Sequence, residues 1–297
     1  KKAARKGVEE ELIKRVKTIT KEKNLSISLE NKIIWENNPI AKIKKGENYL
    51  IPEIEIIADD ALPVEEKKEL EKCLKSWLDS HIIEVLGDLI NLTKIKIENQ
   101  YLRALSYQLY ENNGVLKRKN IDDIIKLISK EERKKLWGMG IKIGRYHIFL
   151  TKMLKPKAVT LRTTLWKIHN DITFNLNIPK FGLNFVVNEN YNEKFLLLCG
   201  FEKFKDYFVR IDILEKLFIN IMDTTIDRKF KISPEMMNLL GCTKENFFKL
   251  ITLMNYKKSK DGDTYYFSSD NKKNKDKIAA NKNKINPFSK LLALNIK

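Results

Sequence analysis

Cysteine is scarce in this chain. Cys73, Cys199 and Cys242 stand far apart with no C-x-x-C pair, so neither a disulfide framework nor a cysteine zinc site is expected, and a reducing cytoplasm is the expected setting. No apolar run approaches the roughly 18 residues that a membrane-crossing helix needs, and the opening KKAARKG is not followed by a hydrophobic signal core, so no membrane partner is expected. The three histidines, His81, His147 and His169, lack the close spacing of a helical zinc pair, and no G-x-S-x-G elbow occurs. None of the eleven glycines is followed by lysine, which excludes the phosphate-cradling loop of Walker type. Gly138-Met139-Gly140 echoes a dinucleotide loop but lacks the strand-turn-helix setting and the ribose-binding acid.

Acidic residues are also in deficit. Against 39 Asp and Glu stand 57 Lys and Arg, a formal charge of +18 in 297 residues. Such an excess points to a polyanionic partner, RNA or DNA first. Heavy use of lysine, asparagine and isoleucine together is also what an AT-rich genome produces, so composition is a second source of the charge. At 43% hydrophobic content the chain is long enough for two or three small domains with an adequate core. Its first residue is Lys1 and not Met, from which we expect a piece of a longer protein.

The densest concentration of unusual chemistry is Trp137 to Pro156, WGMGIKIGRYHIFLTKMLKP. Gly138, Gly140 and Gly144 break a helix, and the alternating isoleucines predict short extended pieces. Lys142, Arg145, His147, Lys152 and Lys155 lie among Trp137, Tyr146 and Phe149, the kit for gripping a nucleic-acid backbone and stacking on its bases. The same residues also read as a tight connection whose glycines solve a packing problem and whose rings are core. His147 carries both readings, as a stacking or phosphate-contacting group and as a core histidine.

In chain order, residues 1–24 read as a linker helix with a stripe at Val8, Leu12, Ile13, Val16 and Ile19. Residues 25–61 read as a small antiparallel sheet with turns at Asn37-Asn38-Pro39 and Lys45-Gly46-Glu47, and Asp59-Asp60 as a helix cap. Residues 62–174 read as a helical domain. It holds a long helix from Pro63 with His81 on its packed face, a helix from Asn99 to Glu111 ended by Asn112-Asn113-Gly114, one from Ile121 to Leu136 and one from Val159 to Ile172. Lys117-Arg118-Lys119 falls in a loop, as a solvated triplet or a phosphate contact, and Cys199 reads as a small buried hydrophobe.

Residues 175–270 read as a winged-helix-like domain after a polar loop at 175–192. Its signals are a helix over Ile211 to Met222, a Ser233-Pro234 start, a stop at Gly241, a third helix capped by Thr243, and a hairpin around Asp261-Gly262. In a DNA-reading version Lys244 and Lys249 face phosphates or bases, with Lys257 and Lys258 beside the backbone. The apolar Phe247, Phe248, Leu250, Ile251 and Leu253 favour packing or nonspecific contact over sequence reading. Residues 271–297 form a basic tail, NKKNKDKIAANKNK, read as a disordered linker, with a short apolar end. The expected class is mainly α with small β elements, α+β.

The 137–156 stretch, with YLRALSYQLYENNGVLKRKNI before it and SPEMMNLLGC and NPFSKLLAL after it, resembles the C-terminal region of alphaproteobacterial superfamily-two helicases, relatives of the mitochondrial degradosome RNA helicase. The likeness runs from about Ile33 to the end, loosely between those strings. It implies a part downstream of an ATP-dependent motor. The parent would use ATP and magnesium, but the acidic box of that superfamily begins Asp-Glu, a dipeptide absent here, so no cofactor, no catalytic residue and no ATP hydrolysis are expected of this chain alone. The expected partners are RNA or DNA and the upstream motor domains. The candidate contacts are Lys142, Arg145, Tyr146, His147, Lys155, Lys157, Lys244, Lys249, Lys257 and Lys258. The other reading is a non-catalytic interaction or scaffold module.

Overall fold

The computed structural model describes residues 2–22, 24–28, 30–57, 62–94, 99–172, 176–187, 192–260 and 262–268. The expected cap at Asp59-Asp60 and the tail at 271–297 lie outside them. The chain divides into two compact units, Lys1–Lys203 with Phe208–Glu215, and Phe204–Tyr207 with Lys216–Lys297. The boundary therefore falls near 204–216 rather than at 175. Mixed α/β structure with small antiparallel sheets fills both.

The first unit opens with α1 (Lys2–Glu22). Val16 and Ile19 on it are buried in the core, so α1 belongs to the unit and is not a linker. Strands β1 (Leu25–Ile27), β2 (Lys32–Trp35), β3 (Asn38–Asn48) and β4 (Ile51–Ile56) form an antiparallel sheet in sequence order. Glu36 and Asn37 make its first two-residue turn with φ of 47° and 65°, the left-handed pair that matches strand twist. Gly46 lies within β3 and not in a turn. A Cβ there would stand 1.9 Å from the Ile51 carbonyl oxygen, so the close strand approach is what requires glycine.

Helix α2 (Val64–Lys94) buries Leu70, Leu74, Leu78, Ile82, Leu86, Leu89 and Leu92, a row at spacings of four and three that fixes one face against the core. Each such side chain contributes about 1.5–3 kcal/mol of burial. His81 stays half-buried, stacked on Trp77 at 5.4 Å, and desolvation holds its pKa below the ordinary value. Helix α3 (Gln100–Glu111) is capped by Asn99 and ends through Asn113 and Gly114 at φ of 57° and 82°. Strand β5 (Val115–Lys117) follows.

The helix expected over 121–136 is two, α4 (Asp122–Lys126) and α5 (Lys130–Gly138). Ser129 and Glu132 form a capping box that starts the second. Strands β6 (Ile141–Ile143) and β7 (His147–Leu150) then join β5 in the order β5-β7-β6, so residues 62–174 are not purely helical. Helix α6 (Pro156–His169) carries Arg162, which is fully buried. Strand β8 (Phe185–Val187), helix α7 (Glu193–Leu198) and strands β9 (Phe201–Phe204) and β10 (Tyr207–Arg210) complete a third sheet, β8-β10-β9. Cys199 is buried as expected, its thiol pushed up to about 12 by desolvation.

Helix α8 (Ile211–Asp223) starts in the first unit and continues in the second. There β11 (Lys229–Phe230), α9 (Pro234–Leu240), α10 (Lys244–Leu253), β12 (Tyr256–Lys258) and β13 (Tyr265–Phe267) follow, with sheet order β11-β13-β12. The local signals act as read: Ser233 caps α9 with Pro234 behind it, Gly241 ends it at φ 64°, and Thr243 caps α10. The hairpin loop is wider than two residues. Lys258 pairs with Tyr265, and the Ser259 N–H donates to the Thr264 carbonyl at 2.7 Å. Among the described residues no helix is long and apolar enough to cross a membrane.

Two glycines give opposite expectations for one substitution. Gly46→Ala forces strand backbones apart and should destabilise the first unit by about 1–3 kcal/mol. Gly87→Ala, inside α2 with open space around it, should stabilise by about 0.5–1 kcal/mol. Denaturant unfolding followed by circular dichroism separates the two signs.

Candidate nucleic-acid interface

In the central stretch, α5 ends with Trp137 74% exposed, and Gly140 at φ 80° turns the chain into β6. Strands β6 and β7 pair Ile141 with Leu150 and Ile143 with Ile148, closed by the Gly144 N–H donating to the His147 carbonyl at 2.8 Å. The turn presents three successive backbone N–H groups to one carboxylate. Those of Arg145, Tyr146 and His147 donate to Glu215 at 2.5, 2.8 and 3.1 Å. Glu215 is 2% exposed, and its charge is held by oriented amides, an anion nest already filled from within the chain. A Cβ on Gly144 would stand 2.2 Å from the Glu215 carboxyl carbon, so this glycine is a condition of the contact. Arg118 braces the turn from outside, donating from Nη1 to the Gly144 carbonyl and from its backbone N–H to Tyr146, each at 2.9 Å.

The His147 imidazole is 1% exposed, its Nε2 2.9 Å from Glu202 Oε2. The other Glu202 oxygen meets Lys117 Nζ at 3.0 Å, and Lys117 also reaches Glu193 at 3.2 Å. The contact role expected for His147 is therefore corrected: the ring is buried against Glu202 and lies out of reach of a polymer. Burial alone would raise the Glu202 pKa, but His147 and Lys117 hold it below the ordinary carboxylate range. Lys117 and Arg118 of the basic triplet are likewise committed, Arg118 to Asp122 at 3.0 Å.

Among the other expected contacts of the first unit, Arg145, Lys155 and Lys157 are exposed and Lys142 and Tyr146 half-buried. Lys142, Arg145 and Tyr146 share one hairpin, while Lys155 and Lys157 flank the start of α6. In the second unit Lys244, Lys249, Lys257 and Lys258 are all exposed. Lys244 Nζ lies 5.9 Å above the Phe248 ring, and Lys249 pairs with Glu245 at 2.6 Å. Lys257 and Lys258 rim an open concavity of about 450 Å³ with Phe248, Thr252, Tyr256 and Tyr265. Lys229 and Tyr266, also exposed on the sheet of this unit, were not singled out from the sequence. Alternation in the short strands is the signal that carries them, and it becomes usable only once strand register is known.

The glycine-lysine and Asp-Glu pairs are absent, and among the described residues no group of three His, Cys, Asp or Glu could hold a metal ion.

Glu215→Gln replaces one acceptor oxygen by an N–H donor facing backbone donors, and should cost about 2–4 kcal/mol in denaturant unfolding. Glu202, with its pKa depressed in the fold, supplies stability that is present above the ordinary glutamate value of 4.5 and is lost as pH falls through the lower folded value. Glu202→Gln should thus flatten the acid limb of the stability profile below about pH 4.5, measured by thermal unfolding across pH 2.5–7. Comparison with protein-family models, with characterised proteins and with solved structures finds no match to this chain.

Proposed function

We propose that this chain is an accessory nucleic-acid-binding region of an ATP-dependent RNA or DNA helicase whose motor lies outside it, and that its second unit is a winged helix. The element order α8, β11, α9, α10, β12, β13 and the sheet order β11-β13-β12 support the winged-helix reading. The observation that carries the binding role is the exposed basic set of that unit, Lys229, Lys257 and Lys258 on its small sheet and Lys244 on α10, in a chain of net charge +18.

The mode of contact follows from what α10 has to spend. Phe247, Leu250 and Ile251 are fully buried, and the charge of Lys249 is matched by Glu245, so few side chains are left to read bases. Contact with the phosphate backbone, independent of sequence, is what such a surface supplies.

The test is a titration of the chain with labelled single-stranded and duplex RNA and DNA at several salt concentrations. Micromolar or tighter binding is expected, with an affinity that falls by about 0.7–0.9 log units per neutralised phosphate for each tenfold rise in salt. Lys257→Glu/Lys258→Glu should weaken it about tenfold or more. Binding that ignores both salt and charge reversal would replace this reading with that of a scaffold for the motor or a protein partner.

A further inference from the structure

The sheet of the second unit has two unlike faces. On one, Phe230, Tyr256 and Tyr265 are buried, with Phe230 5.2 Å from Tyr256 edge-on and 6.0 Å from Tyr265. Phe248 of α10 stacks on Tyr265 at 6.1 Å, which fixes that face against the helix. The other face follows from register. Tyr266, on the central strand β13, pairs directly with Lys229 on β11 and with Lys257 on β12. Directly opposed residues of antiparallel strands project to the same side, so lysine, tyrosine and lysine stand in one row across three strands. All three are exposed, Tyr266 by 38%.

We infer that this row is a stacking platform for an unpaired base of single-stranded nucleic acid, with Tyr266 under the base and Lys229 and Lys257 on the phosphates at either side. The inference rests on the nucleic-acid reading above and narrows it to a strand type and a place. An aromatic ring on the middle strand of a small sheet offers its π-face to any base, which gives affinity without sequence preference. Neighbouring strands lie about 4.8 Å apart, so the two lysine stems start about 10 Å from each other with the ring midway. Charge selects the occupant. The strands β11, β12 and β13 contain no acidic residue, and Arg228 and Lys231, both exposed, extend the positive field along β11. A duplex keeps its bases stacked on one another and cannot use the ring. An unpaired strand can.

The whole chain is titrated with labelled oligothymidylate and oligouridylate of about a dozen residues, with abasic strands of the same length, and with a duplex. Wild type should bind the intact strand about tenfold more tightly than the abasic one. Tyr266→Thr, which keeps a strand-forming residue at an exposed position, should bind both alike with an unchanged salt slope, and Tyr266→Phe should keep the preference. Lys229→Gln/Lys257→Gln should lower the single-strand salt slope by about 1.4, two phosphates at roughly 0.7 each. If wild type does not distinguish intact from abasic strands, or Tyr266→Thr still does, the platform is wrong. Should Lys257→Glu/Lys258→Glu still weaken binding in that case, the broader reading survives it. If no nucleic acid binds wild type at all, both fall. The wild-type comparison of intact and abasic strands decides the matter even where a variant fails to fold.

Discussion

A guanidinium sealed in the core holds the first unit together. Arg162 is fully buried, and among the described residues its hydrogen bonds include no carboxylate. Instead it donates to the carbonyls of Asn113, Met153 and Leu198. Those carbonyls lie at the ends of α3, of the turn after β7, and of α7, where helical chain leaves oxygens unpaired and partial negative charge accumulates. Burial brings the pKa down to about 10, with the phenol of Tyr49 and the thiol of Cys199 opposing the shift, so the group stays charged at neutral pH. One planar fork thus ties three chain reversals that no apolar side chain could tie, because an apolar side chain would leave three carbonyls dry.

Glu215 solves the same problem with the opposite sign. Its carboxylate is buried at the point where α8 passes from one unit to the next, and its partners are backbone amides of the 145–147 turn. Both charges are compensated by main-chain dipoles rather than by each other. Main-chain partners cannot be substituted away, whereas the space beside them can, and this is why Gly144 matters as much as the acid it faces.

What was legible in the sequence is what is decided within a few residues. Asn99, Ser233-Pro234, Gly241 and Thr243 mark helix ends because capping is a bond between neighbours in sequence. The break at Ser129 is also written locally, as the S-x-x-E of Ser129 and Glu132. Gly46 was misplaced because glycine marks a turn and a close strand approach with the same letter. The links from Arg162 to Asn113 and Leu198, from Glu202 to His147 and from Glu215 to the 145–147 turn span tens of residues, and no local pattern encodes which turn a distant side chain will reach.

The two basic-aromatic segments show how coverage, not composition, decides what a residue set can do. HIFL in β7 and YYF in β13 are both middle strands of three-stranded antiparallel sheets, and lysines border both. Every residue of β7 is buried, so both its faces are spent: Phe149 packs with Val115 and Ile211, and His147 faces Glu202. In β13 only Tyr265 is buried, and the side that carries Tyr266 remains exposed. A strand covered on both faces can hand an outside partner nothing but its turn, which in the first unit is filled by Glu215. A strand covered on one face keeps a ring and its flanking charges in water. Sequence places the same kit in both segments, and the packing of the second face assigns one to the interior and the other to the surface.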